Sequence, residues 1–470
     1  MYERNFEDYE REDVTELIET FERMVQDESN YFFEEGSFDQ IIEYYEEKLD
    51  MKRALDVVNR ALEQHPFVAS FLIKKAHLLF EQKRLDEAMD LLEKAEALDG
   101  SDISLYLLRC DIFTWQGKYN KALQTIQVAM GIADEDEKAD LYLELADVYE
   151  EWEKYDEVFD CLVRALELDP ENEEALNRLW FCVEFTEKFE QSITFHKRFI
   201  DEHPYSYLAW FNLAHAYSGL DLYEKAVEAF EFVIAINEDY EYAHKDCGEV
   251  LYRMGEYEKA AEYLLRASII GKPYKELYYS LGECFEQLKN YNRARYYYRK
   301  ATNLDPYFAD AFHKIGYCYE EEERFDSAIT AYERAHRLDK SSADYVVALG
   351  FVYFNMDQFD KSIEYFRRAV EMEGDCEENW EMLSRAYFEA VEYREALNVL
   401  EKAILLFETN ANFFYMKSAF YYQIGNRNEA LVNLERALLQ DFDSHDLMWE
   451  ITPYMEHDDT VAALIEQYRK

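Results

Sequence analysis

Positive charge is scarce in this chain. Its 470 residues carry 50 lysines and arginines against 101 aspartates and glutamates, a formal net charge of −51. A field of that sign repels phosphate backbones and anionic lipid surfaces, which disfavours nucleic acid and membranes as partners. It would steer in basic proteins or peptides, or serve solubility alone. Long apolar runs are missing too: "AILLF" is among the longest, far short of a bilayer span. The opening "MYERNFEDYE" has neither a basic nor an apolar signal region, so no secretory leader is expected. Seven cysteines lie scattered at positions 110, 161, 182, 247, 284, 318 and 376. An odd number without close pairs excludes a disulfide framework or a zinc site, and a reducing, cytoplasmic setting is expected. Phosphate-binding, zinc-protease and nucleophile-elbow motifs are absent, so neither an enzyme nor a cofactor is expected. Histidines do not cluster, except His445 and His457 beside Asp446, Asp458 and Asp459. A helix-capping role for those aspartates is favoured over a metal.

What is present is a period. Aromatics make up 17% of the chain and apolar residues 49%, and the apolar positions recur, which excludes disorder. Twelve units of 34 residues begin at Glu35, Ala69, Ile103, Ala139, Glu173, Tyr207, Glu241, Lys275, Ala309, Ala343, Glu377 and Ala411. With each unit numbered from 1, position 8 is small in every unit but those of Ile42 and Trp180. Position 20 is alanine except at Val158, Ser192 and Ser362, and position 27 is alanine except at Phe199 and Val233. Small residues at fixed points let helices approach to roughly 8–10 Å. Apolar positions 4, 7, 8 and 11 trace one helical face, and 17, 20, 24, 27 and 30 trace another. Gly117, Gly255 and Gly425 mark the turn between them, and Pro66, Pro170, Pro204 and Pro306 share the loop at position 32. Each unit therefore reads helix, turn, helix, loop.

These residues resemble the tetratricopeptide repeat, most closely in Trp210, Leu213, Ala214, Tyr217, Ala226 and Phe230. The resemblance implies an all-α, right-handed superhelix (an α-solenoid) of about twelve helix-turn-helix repeats with terminal capping helices. Its divisions are an acidic capping helix in 1–34, then repeats 35–68, 69–102, 103–136, 139–172, 173–206, 207–240, 241–274, 275–308, 309–342, 343–376, 377–410 and 411–444. A degenerate capping repeat, 445–470, closes the array, its first helix interrupted by Pro453. The resemblance also implies a concave groove, lined by the first helices, that binds a protein segment.

On that alignment the groove takes in Asp111, Asp147, Phe181, Phe211, His215, Tyr242, Lys245, Glu249, Tyr252, Tyr279, Glu283, Tyr317 and Phe351. Carboxylates interleaved with rings suit lysine or arginine side chains. The expected function is a non-enzymatic scaffold that binds a basic partner segment, with a structural assembly subunit or a peptide-sensing regulator as alternatives. The lysine and asparagine clamp that some family members use for a terminal carboxylate is missing. Two departures stand out. Trp180 and Phe199 put bulk where small residues belong, which predicts a splayed helix pair and an apolar pocket edged by Phe181 and Phe185. Lys289, Arg293, Arg295, Arg299 and Lys300 form a basic patch, read either as local charge balance or as a weak self-association surface.

Overall fold

The computed structural model describes residues 6–26 and 31–469, with side chains from Thr15 onward. Parts of the expected N-terminal cap, 1–5 and 27–30, lie outside the described residues. Helices make up the architecture, and no strand occurs among the described residues. Two compact units divide the chain, residues 1–238 and 239–470.

The first unit comprises α1 (Phe6–Gln26), α2 (Glu35–Glu47), α3 (Met51–Gln64), α4 (Ala69–Glu81), α5 (Leu85–Leu98), α6 (Ile103–Trp115) and α7 (Tyr119–Ile132). It continues with α8 (Lys138–Glu151), α9 (Tyr155–Leu168), α10 (Glu173–Thr186), α11 (Phe189–Glu202), α12 (Tyr207–Gly219) and α13 (Tyr223–Ile236). The second unit comprises α14 (Glu241–Arg253), α15 (Tyr257–Ile270), α16 (Lys275–Gln287), α17 (Tyr291–Leu304), α18 (Ala309–Glu320), α19 (Phe325–Leu338) and α20 (Asp344–Asn355). It ends with α21 (Phe359–Met372), α22 (Glu377–Glu389), α23 (Tyr393–Leu406), α24 (Ala411–Ile424), α25 (Arg427–Gln440), α26 (Leu447–Ile451) and α27 (Asp459–Tyr468). Two short 3₁₀ turns flank α26.

Inside each unit, a second helix packs back on its own first helix and on the first helix of the next hairpin. Glycine at position 8 shows what sets the fit. A Cβ on Gly282 would stand 2.4 Å from the Tyr298 ring, one on Gly316 2.5 Å from Tyr332, and one on Gly350 2.8 Å from Phe366. The missing side chain is therefore filled by the residue at position 24 of the partner helix, and these rings are buried. α1 seats Ile18, Phe21 and Met24 against Phe38, Ile41, Ile42 and Tyr45. At the other end α26 stops before Pro453, and Met448, Met455 and Val461 cover Phe414, Leu434 and Leu438.

The turn is as regular as the core. Position 15 is left-handed in every hairpin: Gly117, Gly255 and Gly425 at φ of 68°, 80° and 88°, and nine non-glycine residues from Leu49 to Val391. This lets the next amide reach back to the carbonyl of position 11, as in Asp50 to Tyr45 at 2.9 Å and Asn290 to Phe285 at 2.8 Å. The hairpin of α10 and α11 breaks the pattern. The bond from Lys188 to Val183 is not formed, although Glu187 is left-handed. α10 meets α11 only sparsely and packs instead along α12. Trp180 explains the shift, because its ring stacks on His215 of α12 at 5.0 Å. The expected splay is observed, while Phe181 and Phe185 form an open shelf rather than a pocket edge.

Two outcomes test this account. Val391, β-branched, exposed and held at φ 65°, stores backbone strain, so Val391→Gly is expected to stabilise the protein by about 1 kcal/mol. A urea midpoint that falls would refute it. Replacing Trp180 and Phe199 together with alanine restores the small residues of the other hairpins. Hydrogen exchange at the Lys188 amide is expected to slow, and unchanged exchange would show that these two side chains do not hold the pair apart.

Candidate functional site: the acidic first-helix faces

In the first unit, successive first helices bring position 9 into a row: Asp111 on α6, Asp147 on α8, Phe181 on α10 and His215 on α12. Asp111 and Asp147 meet solvent, yet they lie among enough protein for burial to raise both carboxyls above the ordinary range. Between them stands Glu144, one turn before Asp147. Burial, then the charges of Asp111 and Asp147, push its carboxyl up to about 7. Arg178 on α10 supplies one nearby cation. Its guanidinium meets Asp147 at 2.5 Å, Glu150 at 3.0 Å and Glu174 at 3.2 Å. No ion pair to Asp111 or Glu144 occurs among the described residues. Three carboxylates thus share one guanidinium, and two more stand unmatched beside them.

The apolar part of the row is in plain view. Phe181 and Phe185 are 54% and 59% exposed. Their rings meet edge to face at 4.8 Å, and Phe185 stacks on Tyr155 at 5.3 Å. Phe211 corrects the expectation: it is buried, with Phe230 at 5.8 Å and the Trp180 ring edge-on at 6.4 Å, and offers no face to a ligand. Ile73, Leu143 and Tyr415, at the same repeat position, are buried as well, whereas Asn177 is exposed and Lys245 and Tyr279 are half-buried.

The second unit carries Tyr242, Lys245, Glu249, Tyr252, Tyr279, Glu283, Tyr317 and Phe351. Tyr242 is exposed. Burial disfavours the Lys245 charge, but Asp246 at 3.1 Å and Glu249 at 3.4 Å outweigh it and hold its pKa above the ordinary lysine value. Burial raises the Glu249 carboxyl, opposed by Lys245. Burial also raises Glu283, and the Tyr252 hydroxyl, beside Glu283, is pushed up to about 12. Tyr279 is raised by the same two causes. Phe351 packs edge-on against the buried Phe366 at 5.3 Å, and Tyr317 is half-buried.

Sequence reasoning missed a second kind of pairing. Glu286, nearly buried, accepts from the Tyr298 hydroxyl at 2.7 Å and from Lys314 at 2.8 Å. Glu320 likewise accepts from Tyr332 at 2.8 Å. The signal was available: these are the two units that combine glutamate at position 12 with tyrosine at position 24. Glu144 and Arg178, both at position 6, were missed because that position was not placed on the concave side.

The basic patch turns partly inward. Arg295 is buried and meets Glu322 at 2.9 Å and the Cys318 carbonyl at 3.2 Å. Lys300 lies 4.8 Å from the Tyr278 ring and 5.0 Å from Tyr296. In the tail, Asp458 caps α27 through the Thr460 amide and meets Arg427 at 3.2 Å. Asp446 accepts from the Trp449 indole, and His445 bonds to the Phe442 carbonyl.

Two family models described as tetratricopeptide repeat match the chain, one at residues 43–103 and 246–307 and the other at 139–172 and 207–240. A model described as anaphase-promoting complex, cyclosome, subunit 3 matches residues 321–403. No curated protein matches. Among solved structures the chain is similar to YrrB, a TPR protein with an unusual peptide-binding site, at 21% identity over 38% of this chain and 93% of that one, with a TM-score of 0.34. It is similar to the C-terminal part of a TPR repeat-containing protein from Cytophaga hutchinsonii, at 16% identity over 54% and 98% of the two chains, TM-score 0.46. The APC/C hetero-tetramer Cut9–Hcn1 matches at 15% identity over 92% and 90%, TM-score 0.34.

The raised Glu144 carboxyl has a consequence for stability. With a folded pKa of about 7 against the ordinary 4.5 of a glutamate, the folded state holds a proton that the unfolded chain has released between those values. Stability from this group therefore falls as pH rises through that window. The melting temperature is expected to be higher at pH 5.5 than at pH 7.5, with a smaller difference in Glu144→Gln. Identical pH dependence in the two proteins would remove the claim.

Proposed function

The chain belongs to the tetratricopeptide-repeat family, and from that premise we propose that it is a non-enzymatic scaffold whose first-helix faces capture a positively charged segment of a protein partner. Proteins of this family mediate protein–protein interaction and assembly. The observation that carries the finer reading is the pair of unmatched carboxylates, Asp111 and Glu144, beside the three that share Arg178. A carboxyl raised by its neighbours is a group whose charge a cation would stabilise, so a lysine or arginine of the partner would find its counter-charge already assembled. The excess of 101 acidic over 50 basic residues adds long-range attraction for such a partner. In the second unit Glu283, flanked by Tyr252 and Tyr279, supports the same kind of contact, with a ring contribution of about 0.5–2 kcal/mol.

A reducing, cytoplasmic setting belongs to the same proposal, supported by seven free thiols, six of them buried. No described helix is long and apolar enough to cross a membrane. A second reading, a subunit of a larger assembly, is favoured by the match of residues 321–403 to the anaphase-promoting complex subunit model.

The test is binding of a fluorescent arginine-rich peptide against a glutamate-rich one of equal length, by anisotropy at low and high salt. The basic peptide is expected to bind, to weaken with salt, and to lose about tenfold in Asp111→Asn/Glu144→Gln, about 1.4 kcal/mol. Equal binding of the acidic peptide, or an unchanged affinity in the double variant, would refute the reading.

A further inference from the structure

The first unit carries a feature that charge does not use. Phe181 and Phe185 stand 54% and 59% exposed on α10, braced by each other and by Tyr155. Neither ring closes a core, since the close contacts of α10 are taken by Leu176, Leu179, Cys182 and Val183, which are buried. Two adjoining rings left in water are costly at roughly 25 cal/mol per Å² of apolar surface. They lie in the hairpin where Trp180 replaces a small residue and draws α10 toward α12. Phe181, at position 9, continues the row that begins with Asp111 and Asp147.

Resting on the reading that the first unit captures a cationic segment, we propose that this segment also carries a bulky apolar side chain, about four residues from a lysine or arginine, which covers Phe181 and Phe185. Charge chooses the occupant. A second copy of the chain, at −51, is repelled from a carboxylate row, whereas a segment combining basic and apolar residues complements both halves. Geometry sets the spacing. Arg178 already occupies Asp147, Glu150 and Glu174, so it directs an incoming cation toward Asp111 and Glu144, between α6 and α8. From there to α10 is one and a half helix spacings, roughly 13 Å at 8–10 Å each. An extended chain rises about 3.3 Å per residue, so four residues cover the distance, and an even number keeps both side chains on the same edge.

The experiment uses the full chain and glycine–serine peptides carrying one arginine pair and one phenylalanine. The two are separated by two, four or eight positions, in both orders, alongside counterparts with serine for the phenylalanine. Affinity is read by anisotropy. The four-residue spacing is expected to bind about tenfold tighter than its serine counterpart. In Phe181→Ser/Phe185→Ser the ratio between the phenylalanine and serine peptides should fall to about one. Both positions are exposed, and a melting curve confirms that the variant folds. Arginine-dependent binding with no phenylalanine gain, or a gain that survives in the double variant, overturns this inference alone. No arginine-dependent binding overturns it together with the cationic reading beneath it.

Discussion

Closure of most of the helical hairpins depends on a small residue at one contact. Position 8 of the first helix is small so that position 24 of the second can lie across it, and Gly282 under Tyr298 is the clearest case, with 2.4 Å where a Cβ would fall. A hairpin of two helices buries too little to be stable alone, so stacked neighbours complete its core. The close approach at position 8 is what makes stacking possible, because it fixes the distance at which a second helix can also reach the following first helix. The left-handed residue at position 15 serves the same end. It brings the chain round within a few residues, and nine non-glycine side chains accept an unfavourable backbone for it.

The fifth hairpin shows the dependence by violating it. Trp180 cannot lie under His196, the residue at its position 24, as glycine lies under tyrosine. His196 is fully buried, and burial drives its pKa down to about 4. The indole turns to His215 instead, the turn loses its closing hydrogen bond, and α10 joins α12. One residue therefore changes which helices are partners, in the same hairpin where Phe181 and Phe185 stand exposed against each other and Tyr155.

Much of the fold was legible because packing repeats. Alanine at positions 20 and 27, the three turn glycines and the prolines at position 32 each report a local constraint that recurs every 34 residues, and the bulk at Trp180 was legible as a breach of it. The site was less so. Phe211 was read as outward-facing, yet the rings of Trp180 and Phe230 meet it and it is buried. Arg295 looked like part of a basic surface, but its partner Glu322 lies in the turn after the next first helix. Glu144 gave no signal in isolation, since its burial and the charge of Asp111 on α6, two of the causes of its shift, come from other helices. Properties set by one position and its period can be read from the chain, whereas those set by the company of several helices cannot.

That distinction bears on where charge is available. In the second unit Glu249 is answered by Lys245 and Glu286 by Lys314 and Tyr298. Those carboxylates are held by their own protein, and a partner's cation would have to displace what is there. In the first unit Arg178 answers three carboxylates at once, whereas burial and then the charge of Asp147 raise Asp111, and burial and then the charges of Asp111 and Asp147 raise Glu144. Like charges gathered on neighbouring helices without an ion pair cost the folded protein stability at neutral pH, and a nearby cation offsets that cost. Composition alone places negative charge over the whole chain. The placement of a single arginine decides which carboxylates of the first unit carry an ion pair among the described residues.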